Sequence, residues 1–598
     1  MSSTAKPGVG TRRLTPRARW AIGQASDAFD RALGEEGYLR CPEHGVDHTG
    51  KTARAIVINC ALAAHDGDER FIDRAVRVAR AVTGRLGQDD AAGNAWVFFP
   101  GRHYPKNIST NVIDCGECVD ALATLLHAAG DHLSDIDRAR LEEAIRLCAD
   151  TYLAPTAPGK PVINQRLWGA MGLAKASAVL DEPSWAQAAR TAVERALAEM
   201  RSDGSFPYVA DATAISEHDG ISDLTVYYHS RVIAFARYAL DLIGDDSHAD
   251  ELRRAVDFLV DVLRPDGVKP LALEGKRWFW DSDFEVGSAA YDAYALATDG
   301  RAATRRLAGI VAARSARAVG PDGFVDASPT GPAFVCRVFH TADLAWLARA
   351  HMAAELEDLP TNPLLLEPNA PVHHAEAGVV RIQSRKACAM LRTAKRPANG
   401  LVGGRVGGGG LVYTGRSENG WANVLSSVCE PWMPEGTWSL APTSRQLPTK
   451  FDKPTRFRLH IARMHWRAGR RRYALRMLYR LLGPPTWAAA NRYASSHALD
   501  GNVTMQDDAV LITSWLARQD GEVHPDVETE RRYEIRADRL SVADTVLVRQ
   551  PIAGLAYHVP QASRTLTVDA PTSWHMADHH ICFGPLGVRT TASIRYEI

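Results

Sequence analysis

The chain has 598 residues, too many for one ordinary hydrophobic core, so two or three domains are expected. Lys plus Arg and Asp plus Glu each number 70. With no long basic run, nothing asks for nucleic acid, although a local basic patch facing an acidic ligand stays open. No apolar run of about 18 residues offers a membrane span, and the basic N-terminus lacks the apolar core of a secretory signal. Nine scattered cysteines, an odd number, fit reduced thiols. The expectation is a cytoplasmic protein as written, or a periplasmic or secreted one if a signal was removed, with neither nucleic acid nor membrane as partner.

From about residue 15 to 356 the sequence reads as helix after helix. Amphipathic segments fall near 17–33, 51–64, 71–86, 113–129, 136–152, 164–179, 184–200, 224–243, 247–263, 285–299, 301–317 and 339–356, with Gly, Pro and Asp at their ends. They pair into antiparallel hairpins without a tight sequence repeat, which disfavours a regular solenoid. Hairpins of this length that close on themselves give an α/α toroid whose inner helix ends line a central cleft.

A Pro-rich linker follows. "EDLPTNPLLLEPNAPVHH" (357–374) carries four prolines, which block both helix and central strand. Beyond it come short alternating runs, "GVVRIQS", "ACAMLRT", "LVYTG", "YALRMLYRL", "AVLITSWLAR", "RRYEIRADRLSVADTVLV" and "RTLTVDA", which predict an antiparallel β-sandwich. The expected fold is therefore α + β in two domains. An α/α toroid spans 1–356, a linker 357–375 and a β-sandwich 376–598, with a cleft between the two parts. The basic run at 467–476 reads as a solvated strand edge, and "GGRVGGGG" (403–410) as a strand-to-strand loop facing the cleft.

Four polar stretches in the helical half carry the chemistry. "VINQRLWGAMGLA" offers Asn164, Gln165 and Arg166 at a helix start, and "RSDGSFPY" a turn with Asp203. "DLTVYYHSR" gathers Tyr227, Tyr228, His229 and Arg231, and "AFVCRVFHTADLAW" brings Arg337 and His340. Amides, guanidinium groups, phenols and imidazoles without an obvious pair of carboxylates suit β-elimination beside a carboxylate, as in a uronic acid polymer. The C5 proton leaves only when donors neutralise the C6 carboxylate and stabilise the enolate-like intermediate. A base takes that proton and an acid protonates the departing oxygen at C4. Tyrosine serves if its pKa, near 10, is brought down by a neighbouring arginine.

In this order the motifs resemble the toroid-type polysaccharide lyases, the heparinase II/III-like and alginate lyase groups. Members typically carry an Asn-Asn-His-Gly stretch where this chain has "NQRLWG", an Asp-Gly turn like "SDGSFPY", and a Ser-Tyr-His helix start like "VYYHSR". The resemblance implies Asn164 as carboxylate neutraliser and Tyr228 as acid, or acid and base together. His229 would be a substrate contact or tyrosine partner. Arg166 stands where the family often has a histidine, so His340 is the alternative base. Gln165, Arg166, Asp203, Tyr227, Arg231 and Arg337 would bind substrate, with the three arginines facing one space. The implied partner is an anionic uronate glycan; oligomeric state is left open.

Each residue also has a structural explanation: Asn164 as a helix cap, the tyrosines as half-buried aromatics, His229 and His340 as packed histidines, and Asp203-Gly204 as a turn. No cofactor is required, although "WHMADHHICFG", with His575, Asp578, His579 and His580, leaves room for a structural divalent metal in the β domain. Cys41, His44, His48 and Cys60 are a weaker zinc set, and Cys115 and Cys118 read as core cysteines. The alternative function is a glycoside hydrolase using paired carboxylates, from Asp114 and Glu117 or Asp281, Asp283 and Glu285. A non-catalytic carbohydrate-binding protein, with Trp96, Phe98, Phe99, Trp278 and Trp280 as stacking platforms, is a third class.

Overall fold

The computed structural model describes residues 14–34, 37–40, 47–89, 95–101, 111–209, 223–275, 288–326, 337–359, 369–396, 406–416, 435–440, 492–519, 521–536, 539–577 and 580–598, with single positions between 459 and 478. Contacts divide the chain into two compact units that interleave in sequence. The first comprises Met1–Met200, Tyr228–Val256 and Glu285–Thr361, and the second Arg201–Tyr227, Asp257–Phe284 and Asn362–Ile598.

Apolar spacing yields helices close to where the sequence places them. They are α1 (Pro16–Ala32), α2 (Thr49–Asp66), α3 (Arg70–Thr83), α4 (Asn111–Ala129), α5 (Asp135–Cys148), the short α6 (Ala154–Thr156), α7 (Ile163–Leu180), α8 (Pro183–Ala198), α9 (Val226–Ile243), α10 (Ala249–Val262), α11 (Ala289–Ala297), α12 (Ala302–Arg317), α13 (Arg337–Ala342) and α14 (Leu344–Ala353). Local chemistry sets their ends. Thr15 caps α1 by accepting the Ala18 N–H, with Pro16 at the first helical position. Gly67, at φ 69°, ends α2 in the left-handed conformation that glycine adopts without strain. In the first unit α2 packs on α4, α4 on α7, and α11 on both α12 and α14.

Two features depart from the sequence reading. A small antiparallel pair, β1 (Gly87–Asp89) and β2 (Trp96–Phe98), lies among the helices. The single helix expected over 339–356 is two, α13 and α14, divided at Asp343.

Strands in the second unit are antiparallel. They are β3 (Asn369–His374), β4 (Val379–Gln383), β5 (Ala387–Arg392), β6 (Gly410–Arg416), β7 (Thr437–Leu440), β8 (Tyr493–Ala494), β9 (Asn502–Met505), β10 (Ala509–Ala517), β11 (Val523–Arg536), β12 (Arg539–Val548), β13 (Leu555–His558), β14 (Leu566–Asp569), β15 (Trp574–Ala577), β16 (His580–Phe583) and β17 (Thr590–Glu597). One sheet runs β3-β4-β5-β6; the other has eleven strands in the order β14-β17-β12-β11-β10-β8-β7-β13-β16-β15, with β9 beside β10. One buried cluster joins both sheets, from Val380, Ile382 and Leu391 to Trp438, Val546 and Ile594. The expectation of antiparallel strands in this half is thus met, with one core shared by the two sheets.

Two β-half expectations are corrected. "YALRMLYRL" (473–481) was expected as a strand, but its described positions, Ala474, Leu475 and Leu478, are helical, as is Arg471 in the basic run. Ala, Leu, Arg and Met are strong helix formers, and their apolar spacing fits a helix as well as a strand. The described part of the glycine loop, 406–410, is buried rather than facing a cleft. A Cβ at Gly408 (φ +56°) would come within 2.4 Å of the Ser495 carbonyl oxygen, so glycine lets two backbones meet there.

Candidate active site

In the first unit, polar groups gather in the first two turns of successive helices. Glu117 of α4 is 1% exposed. Its Oε1 accepts hydrogen bonds from Lys51 Nζ of α2 at 2.8 Å and Trp168 Nε1 of α7 at 2.9 Å, and ion-pairs with Arg54 of α2 at 2.9 Å. Asp343, between α13 and α14, accepts from Tyr291 Oη of α11 at 2.8 Å and from Arg231 Nη2 of α9 at 3.1 Å. Lys51 and Arg54 reach it at 3.5 and 3.4 Å. Ring contacts bridge the remaining interval, with Trp168 against Phe235 of α9 and Phe235 against Tyr291. The contacts thus run from α2 through α4, α7, α9, α11 and α14 back to α2.

Such a buried network stays charged only because its members compensate one another. Burial pushes the Asp343 carboxyl up, but Lys51, Arg231 and Arg54 outweigh it and hold the group below the usual carboxylate range. Burial likewise works against the Arg54 charge and is overcome by Glu117, Tyr291 and Asp343, so its pKa rises. His340 of α13 shares this field. Burial first, then Arg231 and Lys51, lower it to about 4 against the opposing pull of Asp343.

The expected site residues take different places around this network. Tyr228 is half-buried at the first turn of α9, and Arg231 lies 5.8 Å from its ring centroid. Arg231 is fully buried and stacks on Tyr291 at 4.1 Å. Tyr227 is buried and belongs to the second unit, where its backbone N–H donates to Glu274 at 2.8 Å. His229 is buried, and its Nε2 donates to the Ala255 carbonyl of α10 at 2.8 Å. Asn164 and Gln165 are buried at the start of α7, and the Asn164 Oδ1 has no partner among the described residues.

Arg166, Arg231 and Arg337, expected to face one space, are each engaged by a different carboxylate. Arg166 donates to Glu199 and to the Lys160 carbonyl, both at 2.9 Å, Arg231 to Asp343, and Arg337 forms a two-pronged pair with Asp322 at 2.6 and 2.8 Å. Burial lowers the Arg166 pKa, with Glu199 opposing. Asp203 takes the turn role: its oxygens accept from Ser205 N–H, Ser205 Oγ and Ala377 N–H.

Sequence reasoning missed Lys51, Arg54, Tyr291 and Asp343. The available signal was "KTARAIVINCALAA", two cations one turn apart in an otherwise apolar helix, since buried charges demand partners. Phe98 and Phe99 are core residues, and Trp96 packs edge-on against Tyr152. Trp278 and Trp280, with Asp281, Asp283 and Glu285, lie outside the described residues, as do Cys41, His44, Asp578 and His579. Of the metal candidates inside them, His48 and Cys60 are buried in the first unit, while His575 and His580 sit on neighbouring strands without being opposed. Among the described residues no group of three or more His, Cys, Asp or Glu is placed to hold a metal, and no helix is long and apolar enough to cross a membrane.

No family model matches the chain, and no curated protein matches it in sequence. Solved structures do resemble it. The chondroitin AC lyase of Streptomyces coelicolor, in complex with chondroitin sulphate, matches with a TM-score of 0.50 and 12% identity over 100% of this chain and 78% of its own. A Paenibacillus xanthan lyase matches with a TM-score of 0.50 and 10% identity over 98% of this chain and 56% of its own. An unsaturated glucuronyl hydrolase specific for heparin matches 57% of this chain and 97% of its own, with a TM-score of 0.41 and 13% identity. At such identities the likeness to the two lyases is one of fold.

Proposed function

We propose that the protein is a polysaccharide lyase that cleaves a uronate-containing glycan by β-elimination, its helical unit an α/α toroid and its β unit a sandwich. The observation that carries this is the setting of Tyr228, a half-buried side chain whose ring lies 5.8 Å from a guanidinium that Asp343 and Tyr291 hold in place. A cation beside a phenol favours the phenolate. The path of contacts that leaves α2 and returns to it supports the toroid, and the fold likeness to chondroitin AC and xanthan lyases agrees.

In this mechanism Asn164 donates its amide N–H to the C6 carboxylate and lowers the cost of the enolate-like intermediate. Tyr228 removes the C5 proton as phenolate, the C4–C5 double bond forms, and the C4–O bond breaks. The same hydroxyl then returns a proton to the departing oxygen. An imidazole with a pKa of about 4 is a weak base, so both transfers are assigned to Tyr228 rather than to His340. His229 is tethered to α10 and acts as a packing residue. Arg231 acts beneath the phenol rather than on substrate. For the hydrolase alternative, Glu117 is held by Lys51, Arg54 and Trp168, which leaves it little reach towards a glycosidic oxygen.

The test is incubation with chondroitin, heparosan, alginate and glucuronan. A lyase produces the ultraviolet absorbance of a conjugated, unsaturated uronate without consuming water. New reducing ends without that absorbance would refute the proposal in favour of hydrolysis.

A further inference from the structure

Asn111 opens α4 and is fully buried. Its Oδ1 accepts the Gly101 N–H at 3.1 Å, while its Nδ2 has no partner among the described residues. The neighbouring helix α7 carries Asn164 in its first turn, also buried, with its Oδ1 unpartnered among the described residues. The two helices run side by side in the same direction. A Cβ at Gly169 would lie 3.1 Å from Val112 Cγ2, and one at Gly172 would lie 2.7 Å from the Gly116 carbonyl oxygen. Their starts are therefore adjacent, and each presents one buried amide with one unmet hydrogen-bonding atom.

A buried amide atom without a partner is costly, and native chains rarely leave one unmet without a reason. Two of them, a donor and an acceptor, occur here at adjacent helix N-termini, where backbone dipoles favour an anion. A uronate unit meets both needs, because its carboxylate accepts and its hydroxyls accept and donate. We infer that Asn111 is a second glycan-contacting amide, donating Nδ2–H to an oxygen of the sugar unit that Asn164 engages. The inference rests on the lyase reading for its substrate class and adds to it a residue that determines binding. Gly101 holds the other half of the amide and so fixes its orientation.

The experiment uses two variants of the full chain. Asn111→Asp keeps an acceptor for the Gly101 N–H and replaces the unpartnered donor by a charged oxygen. Asn111→Ser keeps a small polar group and removes the amide. Folding is checked by circular dichroism, and binding of chondroitin, heparosan, alginate and glucuronan tetrasaccharides is measured by calorimetry. The expected result is binding weakened about tenfold or more by Asn111→Asp and several-fold by Asn111→Ser. With the carboxyl-reduced tetrasaccharide the penalty of Asn111→Asp shrinks, because charge repulsion is gone. Variants that fold and bind within twofold of the parent protein overturn the inference. Failure of both to fold makes Asn111 a framework residue and overturns it too. Glycan binding by the parent protein without unsaturated product would instead sink the lyase reading and leave the Asn111 comparison intact.

Discussion

Asp343 is the residue whose replacement tests the buried network most directly. It takes Tyr291, Arg231, Arg54 and Lys51 on its two oxygens while 2% exposed. Asp343→Asn preserves shape and removes the charge, leaving Lys51, Arg54 and Arg231 with Glu117 as the remaining carboxylate among these partners. Removing one member of a buried ion pair costs about 3–5 kcal/mol, because the other charges stay desolvated. Tyr291→Phe removes a single donor and should cost about 1 kcal/mol. Calorimetric unfolding at pH 7 should therefore show the transition of the helical unit lowered by roughly 10 °C in Asp343→Asn and far less in Tyr291→Phe. In the double variant the losses should not add, since both act on one carboxylate. If Asp343→Asn unfolds within about 1 kcal/mol of the parent, the network is not the charged assembly described, and Arg231 needs no anchor.

Tyr228→Phe should abolish unsaturated product by orders of magnitude with the fold intact, whereas Tyr227→Phe should leave turnover and disturb stability; the reverse result moves the acid by one residue. Acid should weaken the helical unit. His340 titrates near 4 when folded against 6.5 when unfolded, so its contribution, about 3 kcal/mol, is present above pH 6.5 and lost as pH falls towards 4. His340→Gln should flatten that part of the stability profile, and an unchanged profile would refute the assignment. Arg166→Ala should lower stability by about 2 kcal/mol through Glu199 and the Lys160 carbonyl, with KM unchanged; a raised KM would show that Arg166 reaches substrate.

How much was legible in the sequence depended on distance along the chain. Val232, Ile233, Phe235, Ala236, Ala239 and Leu240 recur at helical spacing and are all buried, so α9 could be drawn from its own residues. The pairing of Lys51 with Asp343 spans 292 positions, and no periodicity around either residue announces it. Tyr227 and Tyr228 show the limit from the other side. Successive residues point about 100° apart around a helix, so one phenol could enter a core while the other met solvent, but periodicity near a helix start does not say which. Glu274 decides it by capping α9 through the Thr225 hydroxyl and the Tyr227 N–H.

The histidines and arginines were legible as a group, but the partner of each was not, for a common physical reason. A side chain capable of catalysis is equally capable of satisfying a buried partner, and the partner is what sequence conceals. His229 found a helix carbonyl, Arg166 a glutamate and Arg337 an aspartate. Arg231 found Asp343, and in doing so became a fixed cation beside Tyr228 instead of a mobile one in solvent. That exchange matters for chemistry. A guanidinium held by a carboxylate and a stacked ring needs no reorganisation when a phenolate forms near it, which is the condition under which electrostatic stabilisation is strongest. Apolar residues of similar volume often give more stability than a buried ion pair. On the proposed reading, a cluster that anchors Arg231 5.8 Å from the Tyr228 ring is explained by what that cation does to the phenol more than by what the ion pair adds to the fold.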